Sequence, residues 1–441
     1  MAPECEPQQP ESFLVNVDSL SNQGEGVGRY QGKVVFVPYA LPGERARVRI
    51  VESKKDYARA RVERITRPSP DRVEPPCPHF GVCGGCQLQH AKYERALELK
   101  GQTFLETLER IGKVEVRLPP LVPSEPYGYR NKARFFATGR VDLPVGLKPA
   151  EDANDVLPIE RCLIVSERIG YAYQETARCL AAEVSRGTRL PFSAMTFQEM
   201  ETGLAVIVEG VPRDREFAGN WERVLRSVAE IRAAFLVRLR SRNRVAYDTL
   251  FGDKPWMHRL GQFDIPAAPG TFHQVNDMVG EKLYRTILGW IGKHWDLAVD
   301  LYCGTGTLAA ELGRKFRRVW AADNNQPAIT LAEEFYAQRK GSGLRFSAAP
   351  AEKFLFHQEV AKLKIDLLVL DPPRAGCSPR VMQGIAARRP RRIILVSCHP
   401  AAFARDVGKL VSSGYQVQDL RGFDMFPQTY HLEVAAVLGR V

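Results

Sequence analysis

No apolar run in the sequence approaches the ~20 residues needed to cross a bilayer. The opening MAPECEPQQPESF also lacks the basic-then-apolar order of a secretory signal. Read this way, the chain is expected to be cytoplasmic and to have no membrane partner. Internal repeats and long low-complexity tracts are missing too, which sets repeat arrays aside. Cysteine is present but not in a form that suits a disulfide framework: nine is an odd number, and no export signal accompanies it. Metal-binding and catalytic roles for cysteine therefore come first.

What is present begins with size. A chain of 441 residues exceeds one ordinary core, so two or three domains are expected. Hydrophobic content of 44% and charged content of 26% fit a globular protein, expected to act as a monomer. Lys and Arg number 62 against 51 Asp and Glu, a formal charge of +11 that attracts a polyanion. Nucleic acid is the leading partner, and a solvated basic surface is the alternative reading of charge alone.

Residues 12 to 66 read as short strands broken by turn signals, which predicts a small antiparallel barrel over residues 1–68. Its exposed Arg29, Lys33, Arg45, Arg47, Lys54 and Lys55 suit phosphate contacts. After the Pro-rich RPSPDRVEPPCP come Cys77, Cys83 and Cys86, then a segment with helical periodicity, AKYERALELKGQTFLETLERIG. Strands and helices then mix without a signature that orders them, giving a central α+β domain over 69–265. Within it GYRNKARFFATGR interleaves cations with aromatics, and strand alternation puts Arg130, Lys132 and Arg134 on one face, suited to RNA. Over 266–441 hydrophobic runs alternate with helical segments. That pattern predicts an α/β, Rossmann-like, mostly parallel doubly wound sheet whose last strand is antiparallel.

The run LAVDLYCGTGTLA ends a strand on Gly304, Thr305 and Gly306, where glycines permit a tight turn and close approach of a ligand. Asp323 closes the next strand, RRVWAAD, where a carboxylate can accept from both hydroxyls of a ribose. A dinucleotide shares that feature, but the phosphate-cradling GxGxxG is absent, which favours S-adenosyl-L-methionine, a nucleoside without a pyrophosphate. Asp371 follows a buried strand in LLVLDPPRAG; an aromatic, as expected of enzymes that methylate exocyclic amines, is missing after the prolines, and Arg374 stands there.

The next strand, RIILVS, delivers Cys398 at its carboxyl end, and HLEVAAV carries Glu433 among apolar neighbours, where a carboxylate is costly without work or a partner. These residues make a chemical set for a pyrimidine C5. That carbon is too weak a nucleophile until a thiolate adds at C6, and the C5 proton must afterwards be removed by a base. Cys398 suits the nucleophile, Glu433 the base, and Asp371 the orientation of ring or donor.

With TFHQVN, VDLYCGTGT, DPPRAG, SCHPAAFARD and MFPQTYHLE in this order, the chain resembles the RNA uridine-5 methyltransferase family, in particular its 23S ribosomal RNA branch with a TRAM barrel and a [4Fe–4S] cluster. The resemblance covers nearly the whole chain. It implies a class I methyltransferase domain, donor contacts at Gln274, Tyr302, Thr307, Asp323 and Asp371, and ribosomal RNA as partner, with transfer RNA as the alternative. Thr307 and His399 stand where many members carry Asn. Cys77, Cys83, Cys86 and the distant Cys162 supply four thiolates for either an iron–sulfur cluster or zinc; the resemblance favours a structural [4Fe–4S] cluster.

Overall fold

The computed structural model describes residues 12–117, 119–142, 144–241, 244–292, 295–337 and 343–440. Strands β1 (Ser12–Leu20), β2 (Gly26–Tyr30), β3 (Lys33–Val37), β4 (Arg45–Ser53) and β5 (Tyr57–Arg67) close into a barrel in the order β1-β2-β3-β5-β4, antiparallel as the sequence predicts except where β3 and β5 pair in parallel to close it. Alternation builds it: Phe13, Val15 and Val17 of β1 and Ala46 and Val48 of β4 turn inward, while Arg45, Arg47 and Arg49 face out. β2 crosses β1 so closely that a Cβ at Gly28 would lie 2.2 Å from the Asn16 carbonyl oxygen. Buried Glu44 accepts from Arg72 at 2.6 and 2.9 Å, which pins the Pro-rich linker to the barrel.

Helix α1 (Tyr93–Thr107) runs on into a π-helical turn, Leu108–Gly112. The sequence groups it with the central region, yet Phe104 and Leu108 join the core of the C-terminal sheet. Contact there is tight, since a Cβ at Gly112 would stand 2.7 Å from the carbonyl oxygen of Ala404.

The central sheet collects β6 (Lys132–Ala137), β7 (Val145–Leu147), β8 (Leu157–Pro158), β9 (Ala194–Met200), β10 (Gly203–Glu209), β11 (Ile231–Ser241) and β12 (Arg244–Phe251) in the order β12-β11-β10-β9-β6-β7-β8. Only β10 and β11 pair in parallel, and the connection between them contains a helix, as a parallel crossover requires. That helix, α3 (Arg215–Arg226), and α2 (Glu167–Ser185) cover one face, packing Ile169, Tyr173, Trp221 and Val224 on Phe135 and Phe197. A hairpin, β13 (Trp256–Leu260) and β14 (Phe263–Ala267), leads to α4 (Asp277–Gly289), whose first turn is capped by the Asn276 side chain.

The C-terminal domain runs β15 (Leu297–Leu301), α5 (Thr307–Leu312), β16 (Arg318–Asp323), α6 (Gln326–Tyr336), β17 (Leu344–Ala348), short α7 (Ala351–Phe354) and α8 (Gln358–Ala361), β18 (Leu367–Leu370), α9 (Pro379–Arg388), β19 (Arg392–Ser397), α10 (Pro400–Ser412), β20 (Tyr415–Phe423) and β21 (Glu433–Arg440). The sheet order is β17-β16-β15-β18-β19-β21-β20. Pairing is parallel from β17 to β19, and β21 slots in antiparallel between β19 and β20. Apolar clusters cover both faces, which is why LAVDL and LLVL read as continuous buried runs. This is the Rossmann-like sheet with an antiparallel last strand that the sequence predicts, joined to a barrel and a central α+β region. No described helix is long and apolar enough to cross a membrane.

Candidate active site

Strand order reverses between β15 and β18, and such a switch point opens a crevice at the carboxyl ends of the strands. The register says which residues meet there. Leu301 pairs with Ala322 on one side and Leu370 on the other, so Tyr302, Asp323 and Asp371 stand at three adjacent strand ends. Tyr302 turns the chain with a positive φ of 65°, and its N–H donates to the Ala322 carbonyl at 2.8 Å. Gly304 and Gly306 follow in the left-handed region. Asp323 accepts from the N–H groups of Gly304 at 3.0 Å and Asn325 at 2.8 Å, one on each carboxylate oxygen, which leaves a lone pair on each for a ribose. Thr307 opens α5 with its buried hydroxyl unpartnered.

One acid beside them escaped the sequence reading. Asp300 is buried in β15, one oxygen has no partner, and burial reinforced by Asp371 and Asp323 raises its pKa well above the ordinary value. A lone carboxylate inside the apolar LAVDL was the readable signal. A crevice rimmed by carboxyls suits a donor that carries a sulfonium and an ammonium better than it suits a pyrophosphate.

Gln274 is buried in the segment leading to α4. Its carbonyl accepts from Asn131 Nδ2 at 2.9 Å, and the same amide donates to Asp277 at 2.6 Å. His258 Nε2 also meets Asp277 Oδ1 at 2.7 Å. The segment around Gln274 is thus fastened to the residue just before the strand that begins at Lys132, an arrangement spread over more than a hundred residues of sequence that no local pattern reveals.

Cys398 follows β19 and precedes α10, whose N-cap is His399, with Nδ1 accepting from Ala402 N at 3.2 Å. The antiparallel β19–β21 ladder ends on Ser397 opposite Val434, so the next residues across it are Cys398 and Glu433. Burial, then the charges of Glu433 and Asp371, push the Cys398 thiol up to about 11, and Arg374 works against that rise. Burial raises Asp371 to about 6 and, with Asp371 beside it, lifts Glu433 well above the usual glutamate range. Arg374 also contacts His431, which YHLE places two residues before Glu433.

The four expected metal ligands come from distant segments to line one cavity of about 390 Å3: Cys77, Cys83, Cys86 and Cys162. Among the described residues no group of three or more His, Cys, Asp or Glu side chains is drawn together so as to hold a metal ion as it stands. Burial pushes Cys86 up to about 12 and raises Cys83 and Cys162. Arg130, Lys132 and Arg134 are among the residues around this cavity, together with Ala133 and Phe135 from the other face of the strand, and Cys162 packs on the core that Phe135 belongs to. Arg130 has a buried Nε without a partner, Lys132 donates to the Thr271 carbonyl at 3.2 Å, and exposed Arg134 pairs with Glu209 at 2.7 Å.

A doubly wound sheet in this order, with carboxyls ringing the crevice and a cysteine beside a glutamate at its edge, defines a Rossmann-like methyltransferase. Residues 259–441 match the family model tRNA (Uracil-5-)-methyltransferase, and residues 11–62 match the TRAM domain. The chain is 33% identical over 433 residues to the 23S rRNA (uracil(1939)-C(5))-methyltransferase RlmD of Salmonella choleraesuis, covering 97% of this chain and 96% of that protein. It is 31% identical to an uncharacterized RNA methyltransferase of Halalkalibacterium halodurans, over 96% of each. The crystal structure of Pyrococcus abyssi tRNA (uracil-54, C5)-methyltransferase in complex with S-adenosyl-L-homocysteine matches with a TM-score of 0.73 and 26% identity, over 96% of this chain and 99% of that one. The chain belongs to the uracil-5 RNA methyltransferase family and is an S-adenosylmethionine-dependent enzyme with an N-terminal TRAM barrel.

Proposed function

We propose that the protein methylates carbon 5 of a uridine in 23S ribosomal RNA by way of a covalent bond between Cys398 and carbon 6 of the base. The observation that carries this reading is the juxtaposition of Cys398 and Glu433 across the end of β19 and β21. S-adenosyl-L-methionine, when bound, supplies an electrophilic methyl group. Asp323 holds the ribose, Gln274, Tyr302 and Thr307 wall the donor site, and the acids at the strand ends balance its cationic charge.

The target base leaves its stack to enter the crevice. Cys398 Sγ, as the thiolate, adds to C6 and shifts electron density to C5, which then takes the methyl group. Glu433 removes the C5 proton, the C5–C6 double bond reforms, and the thiolate leaves. Burial makes Glu433 a stronger base than an exposed glutamate, which suits a carbon acid. Asp371 orients the uracil edge. Arg374 favours the thiolate.

Cys77, Cys83, Cys86 and Cys162 would hold a [4Fe–4S] cluster. The cavity fits one in its chemistry: the lining offers four thiols and no carboxylate, and Arg130, Lys132, Arg134 and Arg161 balance a net negative cluster. The cluster would supply a cross-link between distant segments. Mixing the enzyme with donor and either 23S rRNA or transfer RNA fragments, then mapping 5-methyluridine, tests the whole reading. Product in ribosomal RNA, lost in Cys398→Ala, is expected; full activity of Cys398→Ala removes the mechanism, and product in transfer RNA alone removes the substrate.

A further inference from the structure

Glu433 follows the loop 424–432 between β20 and β21; Met425 and Leu432 of that loop pack into the C-terminal cores, but most of its hydrogen bonds to other segments run to parts of the chain outside the C-terminal domain. Lys100 of α1 donates to Asp424 at 2.6 Å and to the Phe426 carbonyl at 3.1 Å, with both charged side chains nearly inaccessible, at 3% and 1%. Tyr93, two turns earlier on the same face of α1, donates its hydroxyl to the other Asp424 oxygen at 2.8 Å. Gln428 sits in the left-handed region at φ 66°, and its carbonyl accepts from two consecutive N–H groups, Gln87 at 2.9 Å and Leu88 at 3.0 Å, immediately after Cys86. Tyr129 donates to the Pro427 carbonyl at 3.1 Å.

An ion pair removed from water this fully gains little over an apolar pair of similar size, so its presence calls for a reason other than stability. A left-handed Gln whose carbonyl is held twice is likewise conformationally costly and has to be kept in place by its neighbours. Both features act on one short loop. Its far end carries His431, in contact with Arg374, and then Glu433.

We propose that Lys100, Asp424 and Tyr129, with the backbone just after Cys86, form a positioning clamp on loop 424–432 that sets the catalytic carboxylate of Glu433 against the substrate. The cysteine segment thereby bears on the proton-removal step and not only on the outer surface of the molecule. None of these residues touches the reacting atoms; they act through the loop. The inference rests on the role assigned to Glu433 above.

The test is a neutral replacement of the pair, Lys100→Met with Asp424→Asn, in the full-length enzyme, beside Tyr129→Phe. Thermal unfolding, affinity for the RNA fragment, kcat, and covalent RNA–protein adduct on denaturing gels are measured for each. The expected double variant unfolds near the wild-type temperature and binds RNA equally, with kcat at least tenfold lower and the adduct accumulating. Tyr129→Phe loses one neutral hydrogen bond and is expected to slow turnover roughly fivefold at unchanged RNA affinity. Wild-type kcat in a folded double variant overturns the clamp; should that variant not fold, wild-type kcat in Tyr129→Phe does so. Slow turnover without adduct in both variants, while Glu433→Gln accumulates it, also overturns the clamp; absence of adduct in Glu433→Gln itself overturns instead the role of Glu433 as the base on which the clamp rests.

Discussion

Arg374 reaches from the turn after β18 to the segment entering β21, with Nη2 3.1 Å from Nδ1 of His431. Burial, and then Arg374 and other cations nearby, bring the histidine down to about 4, so at neutral pH its ring is uncharged and free to accept the bond. The guanidinium is thereby held as a fixed positive charge beside a thiol that burial and two carboxylates otherwise keep protonated.

Opposite shifts in the thiol follow from removing each neighbour. Arg374→Ala takes away the charge that favours the thiolate and raises the Cys398 pKa above its value of about 11. Glu433→Gln removes a charge that opposes it and lowers the pKa. Since thiolate concentration below the pKa changes tenfold per unit, alkylation of Cys398 by iodoacetamide at pH 8.5 is expected to slow roughly threefold in the first variant and to speed up by a similar factor in the second. Equal rates in all three proteins would show that neither group controls the thiol.

Glu433 also carries a stability signature. Its pKa is raised in the folded chain, so the folded protein keeps that proton to higher pH than the unfolded one. Wild type therefore loses stability as pH climbs from the ordinary glutamate value up through the raised one, and a glutamine at that position does not. Glu433→Gln is expected to melt at a higher temperature than wild type at pH 8, with the difference shrinking toward pH 5, while methyl transfer is lost. A gap constant from pH 5 to 8 in differential scanning calorimetry would contradict it.

Much of this site was legible because chemistry sat at strand ends. Asp323, Asp371 and Cys398 each close a hydrophobic run, and a run's end in a parallel sheet is its ligand edge. Alternation along the strand suggests a shared face for Arg130, Lys132 and Arg134 but does not say what that face meets: Lys132 donates to the Thr271 carbonyl and Arg134 pairs with Glu209. Lys100 and Asp424 were not legible at all. They lie 324 residues apart, and Lys100 occurs in a helical stretch where a lysine ordinarily marks the solvent side. The order of the central sheet was equally hidden, since its strands carry no motif and their pairing follows from packing across segments.

The turn between β15 and α5 depends on a backbone that only glycine adopts at low cost. Gly306 has φ 78°, and a Cβ there would lie 2.4 Å from the ring of Phe346 and 3.2 Å from Ala332. Gly306→Ala has to strain the turn or displace Phe346 beside Asp323's strand, a cost of about 1–3 kcal/mol. Binding of S-adenosyl-L-homocysteine measured by calorimetry is expected to weaken by roughly one to two orders of magnitude, with the barrel and RNA affinity unaffected. Wild-type affinity in Gly306→Ala would mean that the turn yields without reaching the donor site.

Cys162 lies far in sequence from the other three cysteines and meets them at the cavity between the loop before α2 and the segment 77–86. A cluster bound by all four closes a loop of roughly 75 residues, and a covalent link of that span is worth about 4 kcal/mol by loop-closure entropy. Protein purified without oxygen is expected to be brown and to contain about four irons per chain. Cys162→Ser, which leaves three ligands, is expected to lose most of that iron and to unfold at a lower temperature in proportion to the lost link. The C-terminal sheet does not include this cavity, so donor binding by the variant should persist at a temperature where it stays folded. One zinc per chain and no iron, by elemental analysis of the anaerobic protein, would leave the four thiols as a metal site but replace the cluster.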